Sequence, residues 1–237
     1  MKLVKKYFIA ALSLLICCGM FMPQLYAGVS YGVDFSSRYI WRGFDLNNNK
    51  AVLQPSITYG FGDSGVSANI WGSFSFDYKE LNELDLTLSY EFKNLKDIAL
   101  TVGFVHYGWY FVDDFKFEDN TSQEFYLTAG LTNLPLSPTF SFYYDVNNGD
   151  GLYASLGIGH SLKLNETLTM DLSASLGYNG KQWIDESGFS DLNFGVSIPI
   201  KLNKLSVSPF LRATIVLMDE VNPGVDSEIY FGVSLAF

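Results

Sequence analysis

"SEIYFGVSLAF", residues 227–237, closes the chain and alternates from end to end. Ile229, Phe231, Val233, Leu235 and Phe237 share one face; Glu228, Tyr230, Gly232, Ser234 and Ala236 share the other. Period two is the mark of an extended strand with different surroundings on its two sides. A free terminus in a soluble domain is usually polar and frayed, yet this apolar stripe runs to the last side chain. What the stripe touches decides the fold.

The pattern recurs back along the chain. Twelve stretches read as strands: 29–44, 52–61, 66–77, 83–92, 98–111, 123–132, 138–146, 151–162, 167–179, 190–202, 205–216 and 227–237. In "ELDLTLSYEF", residues 83–92, Leu84, Leu86, Leu88, Tyr90 and Phe92 alternate with Glu83, Asp85, Thr87, Ser89 and Glu91. No helical spacing competes over a comparable length. Short connections ("GDSG", "KNLKD", "NLPL", "KLNET", "LNK") alternate with longer or more polar ones ("DLNNNK", "YKELN", "DDFKFEDN", "NNGDG", "GKQWIDESG", "DEVNPGVD"). An even strand count with turns short at one end and long at the other predicts a bacterial outer-membrane barrel.

The two faces carry the argument further. The apolar phase holds no Asp, Glu, Lys or Arg; its only ionisable groups are His106 and His160. A β-sandwich would also keep charge out of that face, but would turn the other to water and fill it with Lys, Glu and Thr. Here the second face is rich in Ser, Gly, Thr and Tyr, as suits a confined lumen. Tyr31, Tyr59, Phe61, Tyr90, Phe92 and Phe237 are expected near the periplasmic rim. Tyr39, Trp41, Phe74, Phe76, Tyr110, Tyr144 and Tyr178 are expected near the outer one. Two aromatic belts match the interfacial preference of amphipathic rings. The stripe is therefore expected to touch lipid, with outer-membrane lipids and lipopolysaccharide as surroundings. Phe237 is expected to serve as the C-terminal aromatic read by the outer-membrane insertion machinery.

The amino-terminal segment supports export. "MKLVKK" is cationic, Tyr7 to Phe21 is apolar apart from Ser13 and Gly19, and Ala27 offers a small residue at a cut. That arrangement predicts a signal peptide over residues 1–27 and a barrel domain over 28–237. Both cysteines, Cys17 and Cys18, lie in the leader, so the barrel has no disulfide framework, thiol nucleophile or cysteine metal site. The chain carries 15 basic and 25 acidic residues, and Lys2, Lys5 and Lys6 belong to the leader. So acidic an exported chain is a poor fit to nucleic acid.

Charge on the lumen phase is unevenly placed. Arg38 and Arg42 on the first strand and Arg212 on the eleventh are expected to form a basic wall in the outer half. Asp77, Glu83, Asp85, Glu124 and Asp145 would face them, with Asp34, Asp171, Asp191 and Glu228 completing the inward set. Opposed walls set up a transverse field that favours polar solutes. Alternatively the charges pair and plug the barrel, as Glu228 would with Arg42 across the closing seam. Twelve strands lie between the filled interior of eight and the open channel of sixteen, so size does not decide.

Chemistry is thinly represented. A lipase-like site would need a nucleophile within reach of His106 or His160; Ser161 follows His160 but points to the other face. "DVNNGDG", residues 145–151, lacks the Gly and Glu of a calcium loop. "DDFKFEDN", residues 113–120, reads as a solvated acidic loop, the alternative being one that bridges divalent cations to lipopolysaccharide. No phosphate loop or metal cluster is evident, and neither enzyme activity nor a cofactor is expected.

The stretch "SSRYIWRGFDLNNNKAVLQPSITY" followed by "SGVSANIWGSFSFD" and "NELDLTLSYEF" resembles the TorF-type family of outer-membrane porins. The matching positions are Ser37, Tyr39, Arg42 and Gly43, then Gly65, Trp71, Gly72 and Ser73, then Glu83 and Asp85. Where that family commonly places Asp between the Ser and the Tyr, this chain has Arg38. The resemblance covers about the first third of the exported part. It implies a porin-like channel and names no solute. The expectation is a monomeric Gram-negative outer-membrane channel passing small hydrophilic solutes by diffusion. The alternative is a non-conducting structural or surface-contact barrel.

Overall fold

The computed structural model describes residues 28–108 and 121–237. The expected leader, Tyr110 and the acidic segment 113–120 lie outside them.

Twelve strands form the wall: β1 Val29–Ser36, β2 Val52–Gly60, β3 Val66–Ser75, β4 Glu80–Phe92, β5 Ile98–Gly108 and β6 Thr121–Leu131. They continue as β7 Thr139–Asp145, β8 Gly151–Lys163, β9 Thr169–Gly180, β10, β11 Leu205–Val216 and β12 Glu228–Ala236. β10 runs Ser187–Ser197 and resumes over Ile200–Leu202. The gap falls at Pro199, which has no N–H to give the ladder; both parts pair with β11. Each strand is antiparallel to its neighbours in sequence, and β1 pairs with β12 as well as β2, so the sheet closes. Closure leaves no edge carrying unpaired backbone groups, the condition for a sheet in hydrocarbon. Phe237 continues the seam beyond β12, exchanging backbone hydrogen bonds with Tyr31 at 3.0 and 3.4 Å.

The faces divide as the alternation requires. Outward are Ile229 (71% exposed), Leu156 (63%) and Phe231 (60%), with Leu88, Phe125, Ile70 and Leu211 around the same girdle. So continuous an apolar belt would be untenable in water; it is a surface built for lipid. Tyr59 and Phe61 stack edge-on near the end where Gly28 and Phe237 lie, as do Tyr90 and Phe92. We call this the near end. Phe76, Tyr144 and Tyr178 are exposed toward the far end.

Three expectations fail at the far end, all from one cause. The first strand was expected to run to residue 44 and stops at Ser36. The chain then turns into the lumen and forms a small inner hairpin, Ile40–Trp41 against Phe44–Asp45. Tyr39 and Trp41, expected on the lipid belt, are therefore inside: Tyr39 is buried and packs on Trp71, and Trp41 meets Tyr107 edge-on. Alternation alone does not distinguish a strand that stays in the wall from one that folds back through the same residues. The turn residues do carry a signal. Arg42 (φ 51°) and Gly43 (φ 83°) both adopt the left-handed region, which only glycine enters without steric cost.

Candidate functional site

The inner hairpin brings Arg42 to the middle of the lumen, and β6 supplies its partner. Nη1 and Nη2 donate to Oε2 and Oε1 of Glu124 at 2.6 and 2.9 Å, a two-pronged pairing that fixes orientation as well as charge. Gln182, from the β9–β10 connection, accepts from Arg42 at 2.6 Å and donates to Glu124 at 2.7 Å. Tyr107 Oη donates to the other carboxylate oxygen at 2.8 Å. The guanidinium carbon lies 4.4, 4.2 and 4.7 Å from the ring centres of Trp41, Tyr143 and Tyr153. A buried cation held by a carboxylate, an amide and three π faces has its desolvation offset on every side. The hairpin backbone is held too: Ser190 Oγ and Asn222 Nδ2 both donate to the Arg42 carbonyl, at 2.9 and 3.2 Å. We call this network the clasp.

Most of the remaining inward acids are hydrogen-bonded, Asp34 excepted, and the bases are less satisfied. Tyr39 Oη donates to Glu83 at 2.7 Å. Ser122 Oγ donates to Asp145 at 2.6 Å, and Tyr153 Oη reaches both oxygens of Asp191 at 3.1 Å. The Gly108 amide donates to Asp85 at 3.4 Å. Arg38 Nε pairs with Glu228 at 3.0 Å, while its Nη1 is buried without a partner. The expected seam pairing of Glu228 with Arg42 is thus replaced by one with Arg38, because the inward turn carries Arg42 away from the wall. Arg212 lies 4.3 Å over the Phe210 ring. Asp77 stands apart from the lumen, half exposed in the β3–β4 connection and 3.8 Å from Lys50.

Beneath the hairpin the lumen is hollow. A cavity of about 650 Å³ runs from Arg42 to Ser137 and Thr139 near the near end. Its wall is Gly157, Gly159, Ser173, Ser175 and Gly195 of β8–β10, whose small side chains leave the space open. A second cavity of about 220 Å³ is bordered by Arg38, Arg212, Asp34, Asp85, Trp41 and Trp71. Ile40, Arg212 and Tyr230 border both.

The histidines lie away from this interior. His106 shares a 3.1 Å hydrogen bond with Gln123, which also accepts from Asn147 at 2.9 Å; His160 is exposed on the outer face. Among the described residues no group of acids and histidines is placed to hold a metal ion.

Several members of the clasp were not singled out in the sequence. Tyr107, Tyr143 and Tyr153 fall in the lumen phase of their strands, so a periodicity reading could have flagged them. Gln182 and Asn222 come from connections and carry no comparable signal. In the connection "GKQWIDESG" Gln182 is buried and tied inward, while Lys181, Trp183, Asp185 and Glu186 are exposed.

The model of Gcw_chp, described as a bacterial protein of unknown function, matches residues 24–210. The chain belongs to the Gcw_chp family. No curated protein matches it in sequence. Among solved structures, the NanC porin superposes with a TM-score of 0.55 at 11% identity, covering 87% of this chain and 98% of that one. The KdgM porin gives 0.53 at 13% identity, covering 89% and 98%. An outer-membrane channel from Pseudomonas putida F1 gives 0.53 at 11%, covering 90% and 96%. At such identities the likeness is one of fold. This member of the Gcw_chp family has the closed barrel architecture of outer-membrane porins and channels.

Proposed function

We propose that the protein is a monomeric channel of the bacterial outer membrane through which small hydrophilic solutes diffuse, with its constriction at the Arg42–Glu124 clasp. The polar cavity of about 650 Å³ beneath the clasp carries this reading. A barrel serving only as a structural plug has no need of a wall of glycines and serines that keeps its interior empty. The resemblance of the opening motif to the TorF-type porins agrees with it. The surroundings follow: lipid and lipopolysaccharide against the apolar girdle, and insertion by the outer-membrane assembly machinery through the aromatic end at Phe237.

Purified, refolded protein in a planar bilayer is expected to give discrete conductance steps, and Arg42→Ala to enlarge them. Silent bilayers for both, with folded protein present, would overturn the channel reading. They would leave the second one, a sealed barrel acting in envelope structure or surface contact. That alternative draws on the clasp itself, where the Glu124 side chain is 0% exposed and that of Arg42 7%. It predicts that removing the segments 113–120 ("DDFKFEDN") and 180–188 ("GKQWIDESG") abolishes function while lumen substitutions leave it intact.

A further inference from the structure

The lumen's acids and bases are satisfied to different degrees. Glu83, Glu124 and Asp191 accept from tyrosine hydroxyls, Glu124 also from Arg42 and Gln182, and Asp85 from a backbone amide. Asp145 keeps Oδ2 unpartnered but does not line the cavities, whereas Asp34, which borders the smaller one, has no side-chain partner among the described residues. The bases are less occupied. Arg38 Nη1 is buried with no acceptor. Among the described residues Arg212 has no ion pair and no side-chain hydrogen bond, only the Phe210 face. Arg38 Nη1, as a buried donor, calls for an acceptor; the Arg212 side chain is exposed in the lumen and open to a ligand.

These two arginines border the same 220 Å³ cavity. Arg212 stands directly across the β11–β12 ladder from Tyr230, and Arg38 is tied to Glu228, two residues along the same face of β12. The guanidiniums therefore flank one short run of wall. The geometry points to an oxyanion-binding subsite between Arg38 and Arg212, taking the carboxylate or phosphate group of a small hydroxylated solute. The hydroxyl-bearing remainder has Ser173 and Ser175 of the adjoining cavity to bond with. Arg is suited to this because its planar fork matches two oxygens at once. Asp34 and Asp85 also border the smaller cavity; were they dominant, the subsite would select a cation. The inference rests on the channel reading only in that solutes must reach the lumen.

Trp41 and Trp71 line the same cavity, so intrinsic fluorescence of the detergent-refolded barrel reads binding without requiring conduction. Four probes of similar size separate the possibilities: glycerate, glycerophosphate, glycerol and the cationic serinol. Saturable change with glycerate or glycerophosphate is expected, whichever is tighter identifying the oxyanion, with glycerol and serinol weaker by roughly tenfold or more. Arg212→Gln is expected to weaken the anions by a similar factor and Arg212→Lys to restore part of it. Because Arg212 bonds to no other side chain, this variant should fold; Arg38→Gln, which releases Glu228, is read only alongside a melting curve. Equal response to glycerol, preference for serinol, or no saturable response would overturn the subsite. Conduction without selective binding would refute the subsite alone, and binding with silent bilayers would refute the channel alone.

Discussion

Arg42 and Glu124 stand 82 positions apart in the chain and meet in a two-pronged pair at 2.6 and 2.9 Å inside the barrel. Neither belongs to a neighbouring strand of the other: β6 lies five strands round the wall from β1, which launches Arg42. Removing one partner would leave a buried charge uncompensated. Arg42→Ala is therefore expected to destabilise the barrel by about 3–5 kcal/mol, and the Arg42→Ala/Glu124→Ala pair by less than the single change. Urea titrations of the refolded variants, arranged as a double-mutant cycle, measure this.

Tyr39→Phe removes one hydroxyl that donates to the buried carboxylate of Glu83. The ring and its packing on Trp71 remain, so the effect isolates the hydrogen bond. A loss of about 1–3 kcal/mol is expected in the same titration.

At the turn of the inner hairpin, Gly43 combines a φ of 83° with Asn222 Nδ2 only 2.8 Å from where a Cβ would sit. Gly43→Ala is expected to loosen the hairpin from the β11–β12 connection, at a cost of about 1 kcal/mol or more. Limited proteolysis in the 37–51 segment should quicken, and conductance should become noisier than that of the unaltered protein.

The two faces should answer oppositely to the same charge. Leu156→Arg places a cation in the middle of the girdle, where about 2–4 kcal/mol is expected to be lost. Ser175→Arg, one strand away and inward, should fold with near-normal stability but lower the conductance by filling the cavity.

Phe237 bonds to Tyr31 through its backbone alone. Phe237→Ala should keep the seam in refolded protein. In cells it is expected to reduce the amount of assembled barrel, measured by heat-modifiable mobility in gels.

The wall was legible in the sequence because hydrocarbon punishes every out-of-phase polar side chain, so period two survives through strands such as 83–92 and 227–237. The strand ends agree with the reading to within a few residues except at β1. There the same alternation continues through Tyr39 and Trp41, but the chain has left the wall; periodicity is blind to direction, and only Arg42-Gly43 marked the turn. The candidate site was half legible for the same reason. Residues on strands, such as Glu124 and Arg212, announced their inward face. Gln182 and Asn222 work from connections, where no period exists to betray them, and Ser190 sits on β10 beside a shift of register that blurs its phase.

The inner hairpin behaves as the hub of a wheel. Its spokes run to Glu124, Gln182, Ser190 and Asn222, all of which are synthesised long after it. Those attachments tie the hub to strands and connections on several sides of the circumference. A rim made largely of glycine and serine along β8–β10 has little bulk of its own to resist being squeezed oval by lateral pressure. Holding it round falls to Arg42 and the four residues it joins, all on the inner side of the wall.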